Sequence, residues 1–263
     1  MERLQSLKSH LQTKETVKSF EDLPSFHELP YKAGLPGCAW DVWGQGDELG
    51  TVNMLTDEVV AQAAKEEIKV KVSSITKGLT ENDDPTNLSS EEIKLGIHSI
   101  CGRGVLIDLV KYYTDNGKKP LPYDPWSTHA ISVTDIEKAA KQQGVKFRQA
   151  DILVLRVGFM QKFNQESKAN RDSLRTRPET LNNHFAAIAS DQPALEAWPV
   201  GEGEVHLHQT ILGLWGMPIG EFFDLEKLAK HADRTGRYTF FFSSWPLNVL
   251  GGVASPPNAA AIF

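Results

Sequence analysis

Two short apolar runs constrain the fold of this chain more than any other feature of its sequence. They are VLIDLV at Val105–Val110 and ILVLRV at Ile152–Val157. Runs of this length without alternation are typical of strands that are buried on both faces of a sheet. Between them, a helix is predicted to begin at the capping box Thr134–Glu137 and to end before Gly144. A strand, a helix and a strand in this order predict a β-α-β unit within an α/β fold.

Other segments supply further elements for the same core. They are a helix capped by Thr56, a strand at Phe185–Ala189, a helix at Asp224–Asp233, a strand at Tyr238–Phe242 and a strand in the final AAAIF. No internal repeat or low-complexity linker divides the sequence. We therefore expect a polar lead-in over residues 1–35 and a single domain over residues 36–263.

The composition is that of an ordinary globular protein and argues against several partners. Hydrophobic residues make up 40% and charged residues 24% of the 263 residues, which is enough for one large core. With 28 Lys and Arg against 34 Asp and Glu, the net charge is −6, so nucleic acid is not an expected partner. Two cysteines, a polar N-terminus and the lack of a long apolar stretch predict a cytoplasmic protein that is not bound to a membrane.

The best candidates for chemistry lie in the segment VHLHQTILGLWGMPIGE. His206 and His208 are two residues apart, and Glu221 follows a connection broken by Gly and Pro. If residues 205–208 are extended, both imidazoles point to one face, and a returning Glu221 completes a site for Zn²⁺ or Mn²⁺. The alternative is a surface H-x-H pair with an unrelated Glu at the start of a helix.

An ordered set of segments makes the chain similar to a known family. The segments are WGQGDELGTVNMLT, GRGVLIDL, DILVLRVGF, ASDQPALE, HLHQTILGLWGMPIGEFFDLEKLA and PLNVLGGVASPPNAAAIF. In this order they resemble the Putative cyclase family, which includes kynurenine formamidase and isatin hydrolase, and within it a cyclase-like branch. The resemblance implies a swivelling β/β/α fold, a homo-oligomer (dimer or tetramer), and a Zn²⁺ or Mn²⁺ ion that activates water for attack on an amide or lactam carbonyl.

The resemblance also implies roles for individual residues. The family's late His and Glu match His208 and Glu221, which are expected to bind the metal and to take part in catalysis. The match has one extra residue between them, so His206 is an alternative ligand. The Trp-rich loop at residues 36–56 lies near the mouth of the active site in relatives, and Trp215 lies in the segment that carries His208 and Glu221. Contacts to an aromatic or cyclic small-molecule substrate are therefore expected from four residues: Trp40, Trp43, Asn53 and Trp215.

One part of the family pattern is missing. Family members have an early H-x-G-T-H-x-D segment, and nothing of that kind stands between Lys69 and Gly96. The domain is therefore expected to be incomplete relative to the family, with His98 and Asp191 as possible further ligands. Three functions stay open: a metal-dependent hydrolase or cyclase acting on an aryl or cyclic amide, lactam or ester; a shortened, inactive member; and a metal-free cyclase or isomerase of secondary metabolism that uses His208 and Glu221 as acid and base.

Overall fold

The structure is a computed structural model, and it describes only part of the chain. The described residues are 23–25, 28–29, 37–47, 49–68, 100–127, 129–166, 177–178, 184–195, 206–245, 254 and 258–263. Most of the lead-in predicted over residues 1–35 lies outside them, as do His98 and the segment 69–99, so those predictions stay open.

The described residues form eight strands and a set of helices. The strands are β1 Ile100–Asp108, β2 Ala130–Ile131, β3 Ile152–Arg156, β4 Arg177–Pro178, β5 Ala187–Ser190, β6 Ile219–Gly220, β7 Thr239–Ser244 and β8 Ala259–Ile262. The α-helices are α1 Asp57–Glu67, α2 Leu109–Tyr113, α3 Val133–Gln142, α4 Phe159–Gln165 and α5 Glu226–Thr235. A 3-10 helix at Gly50–Met54 and a π-helix at Gln209–Leu214 complete the described part.

Six of these strands form one sheet, in the order β6-β5-β3-β1-β7-β8. The first four run parallel, whereas β7 and β8 join antiparallel to their neighbours. Strands β1 and β3 pair directly, with Val105 opposite Leu153, and α3 lies between them in the chain. The β-α-β unit and the α/β fold predicted from the sequence are confirmed.

The sheet is covered on both faces, which explains why its strands are apolar throughout. Successive residues of a strand point to opposite faces. Val105 and Ile107 pack with α3 and α4 in one hydrophobic cluster, and Leu106 packs with α5 in the other. All three residues are fully buried, and burying a side chain of this size stabilises the fold by roughly 1.5–3 kcal/mol. Among the described residues, no helix is both long enough and apolar enough to cross a membrane.

The predicted start of α3 was wrong by about half a turn. Ser132, rather than Thr134, is the N-cap: its hydroxyl accepts a hydrogen bond from the Asp135 N–H (3.1 Å) and donates one to the Asp135 carboxylate (2.9 Å). A serine with an acidic residue three positions later has the spacing of the predicted box, two residues earlier in the chain. Here the carboxylate accepts from the serine hydroxyl, whereas in a capping box it accepts from the backbone N–H of the N-cap. Thr134 therefore lies inside the first turn.

The end of β1 also differs from the prediction. The strand ends at Asp108, so Leu109 and Val110 are buried residues of α2 and not of the strand. The Asp108 carboxylate accepts a hydrogen bond from the Lys111 N–H (2.9 Å), which caps the new helix. The apolar run at Val105–Val110 does not show where the strand ends and the helix begins, because both elements bury their apolar residues. The other predicted strands and α5 are confirmed with their ends shifted by one or two residues.

Candidate functional site

Polar side chains lie where the four parallel strands end. Asp108 and Arg156 are the last residues of β1 and β3, whereas Asp191 and Glu221 directly follow β5 and β6. Parallel strands end at the same edge of a sheet, and ligands of open α/β sheets bind outside that edge. The candidate site therefore lies at the carboxyl ends of β5 and β6.

Glu221 meets His208 at this edge. The His208 Nε2 lies 3.2 Å from the Glu221 Oε1, and the two side chains are 33% and 25% exposed. The same Oε1 accepts a hydrogen bond from the Leu195 N–H (2.7 Å). The carboxylate is thus held by a backbone group on one side and lies against the imidazole on the other. Two of the residues predicted from the sequence are brought together, in a place that water reaches.

The extended conformation predicted for residues 205–208 is wrong at His208, and residue 205 lies outside the described residues. His208 has φ −57° and ψ −46°, which is helical, and the π-helix follows it directly. The carbonyl of His206 already accepts a hydrogen bond from the Thr210 N–H (3.1 Å). Residues two apart in a helix are about 200° apart around its axis, so the helical conformation removes the reason to expect both imidazoles on one face. His208 reaches Glu221, and the use of His206 as an alternative ligand stays a prediction.

The first described part of the Trp-rich loop, residues 37–47, is hydrogen-bonded to the π-helix and to Trp215 that follows it. The Trp40 Nε1 donates to the Gly213 carbonyl (2.7 Å), and the Trp215 Nε1 donates to the Gly37 carbonyl (3.2 Å). Both indole N–H groups are therefore used to join the loop to the segment that begins with His208. Trp40 is still 53% exposed. Its contact with a substrate, like that of Trp215, stays a prediction. The π-helix that Trp40 contacts is a type of turn that occurs frequently at functional sites.

A close approach of two glycines joins the 3-10 helix to the end of the π-helix. Gly50 and Gly216 have φ values of +56° and +61°, in the region that favours glycine. A Cβ added at Gly50 would lie 2.5 Å from the Gly216 Cα. The Thr51 N–H donates to the Gly216 carbonyl (3.3 Å). Only glycines allow the two backbones to come this close.

The remaining two predicted substrate contacts lie within the loop or against the core. The Asn53 Nδ2 donates to the Asp47 carboxylate (2.8 Å) and to the Gly50 carbonyl (2.9 Å). Trp43 is partly buried and packs against the hydrophobic cluster on the α5 face of the sheet. Both residues hold the loop in shape, and their contact with a substrate stays a prediction.

Asp191 has the contacts of a turn-capping residue. It is fully buried, and its carboxylate accepts hydrogen bonds from the N–H groups of Val157 (2.8 Å) and Gly158 (3.0 Å). Burial raises the pKa of this carboxyl group to about 6, although the hydrogen bonds from Val157 and Gly158 act to lower it. Of the two roles considered for Asp191, these contacts favour the structural one.

The turn that holds Glu221 was not found from the sequence. This turn, residues 190–195, donates the Leu195 N–H to Glu221 and accepts hydrogen bonds from the Phe222 N–H (2.8 Å, at the Gln192 carbonyl) and the Phe223 N–H (3.1 Å, at the Ser190 carbonyl). These contacts use backbone groups, which every residue carries. The only available signal was the polar S-D-Q-P run after a buried strand.

The described residues do not fit the metal centre that the resemblance implies. Among them, no group of three or more His, Cys, Asp and Glu residues is arranged to hold a metal ion. His208 and Glu221 supply two donors, whereas catalytic zinc sites use three protein ligands. Asp191 is committed to backbone N–H groups, and His98 lies outside the described residues. The metal centre therefore stays a prediction.

Comparisons with known proteins identify the family. A family model described as "Putative cyclase" matches residues 41–197, which include β1, β3 and β5 and end before the His208–Glu221 pair. A crystal structure described as that of a novel cyclase is similar over 86% of this chain and 99% of that chain, with a TM-score of 0.65 and 24% sequence identity. At this identity, the likeness confirms the cyclase-like fold. No curated protein matches the chain. Because the family model covers more than half of the sequence, the chain belongs to the Putative cyclase family.

Proposed function

We propose that this protein is an enzyme that uses the His208–Glu221 pair as its acid–base group on a carbonyl substrate, an aryl or cyclic amide, lactam or ester. Membership of the cyclase family supports an enzyme. The observation that carries the proposal is the 3.2 Å contact between His208 Nε2 and Glu221 Oε1 at the carboxyl ends of the parallel strands. An imidazole oriented by a carboxylate is a common general base.

In this proposal each atom of the pair has a part. With Glu221 Oε1 as acceptor, the Nε2 of neutral His208 carries the hydrogen, and Nδ1 carries the lone pair. Nδ1 then takes a proton from water while the water oxygen bonds to the substrate carbonyl carbon. When the tetrahedral intermediate collapses, the carbonyl double bond re-forms, the bond to the leaving nitrogen (the leaving oxygen in an ester) breaks, and the proton passes from Nδ1 to that departing atom. The carboxylate of Glu221 stabilises the imidazolium that exists between these two transfers.

Leu195 has a positioning part in this scheme. Its N–H donates to the same Oε1 that faces the imidazole (2.7 Å). The oxygen therefore does not depend on His208 to stay in place. The partial exposure of both side chains gives water and substrate a path to the pair. A preformed orientation of this kind lowers the reorganisation that a proton transfer requires.

The proposal is tested by turnover of a small panel: N-phenylformamide, a benzo-fused lactam and phenyl acetate. We expect the wild type to hydrolyse at least one of them, and His208→Gln and Glu221→Gln to lower kcat/KM by about 10²–10⁴. The matched controls are His231→Gln on α5 and Glu137→Gln on α3, which leave the rate unchanged. No turnover by the wild type, or wild-type rates for both site variants, would refute the proposal.

Metal removal separates this function from a metal-dependent one. The proposed proton transfers need only the His208–Glu221 pair, so we expect the rate to survive dialysis against EDTA. A rate that disappears on dialysis and returns with Zn²⁺ or Mn²⁺ would replace the acid–base role with a metal-dependent hydrolase or cyclase.

A further inference from the structure

Phe222, the residue after Glu221, has a backbone conformation that bulky residues rarely adopt. Its φ is +59°, in the left-handed region where the Cβ crowds the backbone. The Phe222 N–H donates to the Gln192 carbonyl (2.8 Å), which helps to fix this geometry. Glycine would make the same turn without strain. The backbone therefore gives no reason for a phenylalanine at this position.

The Phe222 ring is also poorly placed for a role in the core. The residue is 49% exposed. It meets Phe159 edge-on, with ring centroids 6.0 Å apart and planes at 76°. Phe159 is fully buried and packs against Trp126 at 6.1 Å. The Phe222 ring thus has a firm aromatic support and a large surface open to solvent.

The neighbouring residue shows the contrast. Phe223 is not among the described residues with a positive φ. Its ring packs against Phe242 at 6.4 Å and lies directly against Gly220. Phe223 has the contacts of a core residue, whereas Phe222 combines backbone strain with exposure. Strained residues that are held in place by their surroundings cluster at ligand-binding sites.

We propose that Phe222 is a specificity-determining residue whose ring binds a flat, unsaturated ring of the substrate beside the His208–Glu221 pair. The choice of substrate rests on the proposed function. The place beside the pair follows from the chain, because Phe222 directly follows Glu221. An offset or edge-to-face contact with a second aromatic ring is more favourable than contact with a saturated ring of the same size. Phe222 therefore selects for the aryl group, and the His208–Glu221 pair acts on the carbonyl next to it.

The first test measures stability and needs no turnover. Phe222→Gly removes the ring and the strain together, so we expect its urea midpoint to equal or exceed that of the wild type. Phe222→Ala keeps the left-handed strain and should lie below Phe222→Gly. The matched control Phe223→Ala loses core packing and should have a lower midpoint than the wild type. A midpoint for Phe222→Gly that falls as far as that of Phe223→Ala would show that Phe222 is a packing residue and overturn the proposal.

The second test measures binding with two probes of equal ring size, N-phenylformamide and N-cyclohexylformamide. Calorimetric titrations use the His208→Gln background, so that neither probe is consumed. We expect the phenyl probe to bind about two- to tenfold more tightly, which corresponds to one aromatic contact. Phe222→Gly should abolish this preference and Phe223→Ala should keep it. Equal binding of both probes, or a preference that survives Phe222→Gly, would overturn the proposal.

The two proposals fail in different ways. If the panel is not turned over but the phenyl preference depends on Phe222, the acid–base function is wrong and the aryl-binding role stands. If His208→Gln and Glu221→Gln abolish turnover while Phe222→Gly changes neither probe preference nor KM, the acid–base function stands and the role of Phe222 is wrong.

Discussion

The contact between Gly50 and Gly216 allows a substitution whose effect can be worked out from the structure. In Gly50→Ala the new Cβ would lie 2.5 Å from the Gly216 Cα, far inside the contact distance of about 3.5–4.0 Å for two carbons. Both partners are backbone, so no side-chain rotation relieves the overlap. The alanine must also adopt a φ of +56°.

The left-handed backbone and the steric overlap both lower the free energy of unfolding of Gly50→Ala, by an amount large enough to measure. Left-handed backbone costs an alanine roughly 1–2 kcal/mol, and overpacking costs about 1–3 kcal/mol. We therefore expect Gly50→Ala to lower the free energy of unfolding by roughly 2–5 kcal/mol. Movement of the 3-10 helix away from Gly216 also disturbs the segment that begins with His208, so kcat should fall.

Gly46→Ala is the matched control in the same part of the chain. Gly46 has φ +78° and nothing within 4 Å of an added Cβ, so only the conformational cost of roughly 1–2 kcal/mol applies. Urea denaturation of both variants, together with kcat on a panel substrate, makes the comparison. Equal losses for Gly50→Ala and Gly46→Ala would refute the close approach of the two backbones.

Two further predictions concern buried charges. Arg103 donates to Asp151 (2.8 Å) and Glu67 (3.2 Å) in the interior. Arg103→Met should lower the free energy of unfolding by about 3–5 kcal/mol, because it removes the cation paired with the buried Asp151 carboxylate, whereas Glu67 keeps its ion pair with Arg237. A loss below about 1 kcal/mol in urea would contradict this. The folded chain keeps a proton on Asp191 up to pH of about 6, whereas the unfolded chain loses it near 3.8. Stability from this group is therefore present at low pH and lost as the pH rises through 6. Relative to Asp191→Asn, the wild type should lose about 2 kcal/mol between pH 4 and pH 6. A constant difference between the two urea series would show that the pKa of Asp191 is not raised.

The parts of the fold that repeat a strong pattern were predictable from the sequence. The buried strands β1 and β3 and the capped helix α1 each depend on several residues that agree with one another. The pairing of His208 with Glu221 was also expected, from the family resemblance. The ends of elements were less predictable, because Leu109 and Val110 are equally well buried in a strand or in a helix.

The rest of the site depends on tertiary contacts that leave no pattern in the sequence. Two histidines two residues apart fit an extended strand, and nothing in that spacing indicates the helical turn that separates them. The Leu195 N–H that holds Glu221 is a backbone group, which any residue would supply. The strain at Phe222 is a property of φ and becomes visible only in the folded chain.

The central claim is that His208 and Glu221 act as one unit, and a double-mutant cycle tests it most directly. kcat/KM is measured for the wild type, His208→Gln, Glu221→Gln and the double variant on the best panel substrate. Residues that act as a unit have non-additive effects. The account therefore predicts that the double variant is about as slow as the slower single variant. Two losses that multiply in the double variant would show that the residues act independently and would contradict the account.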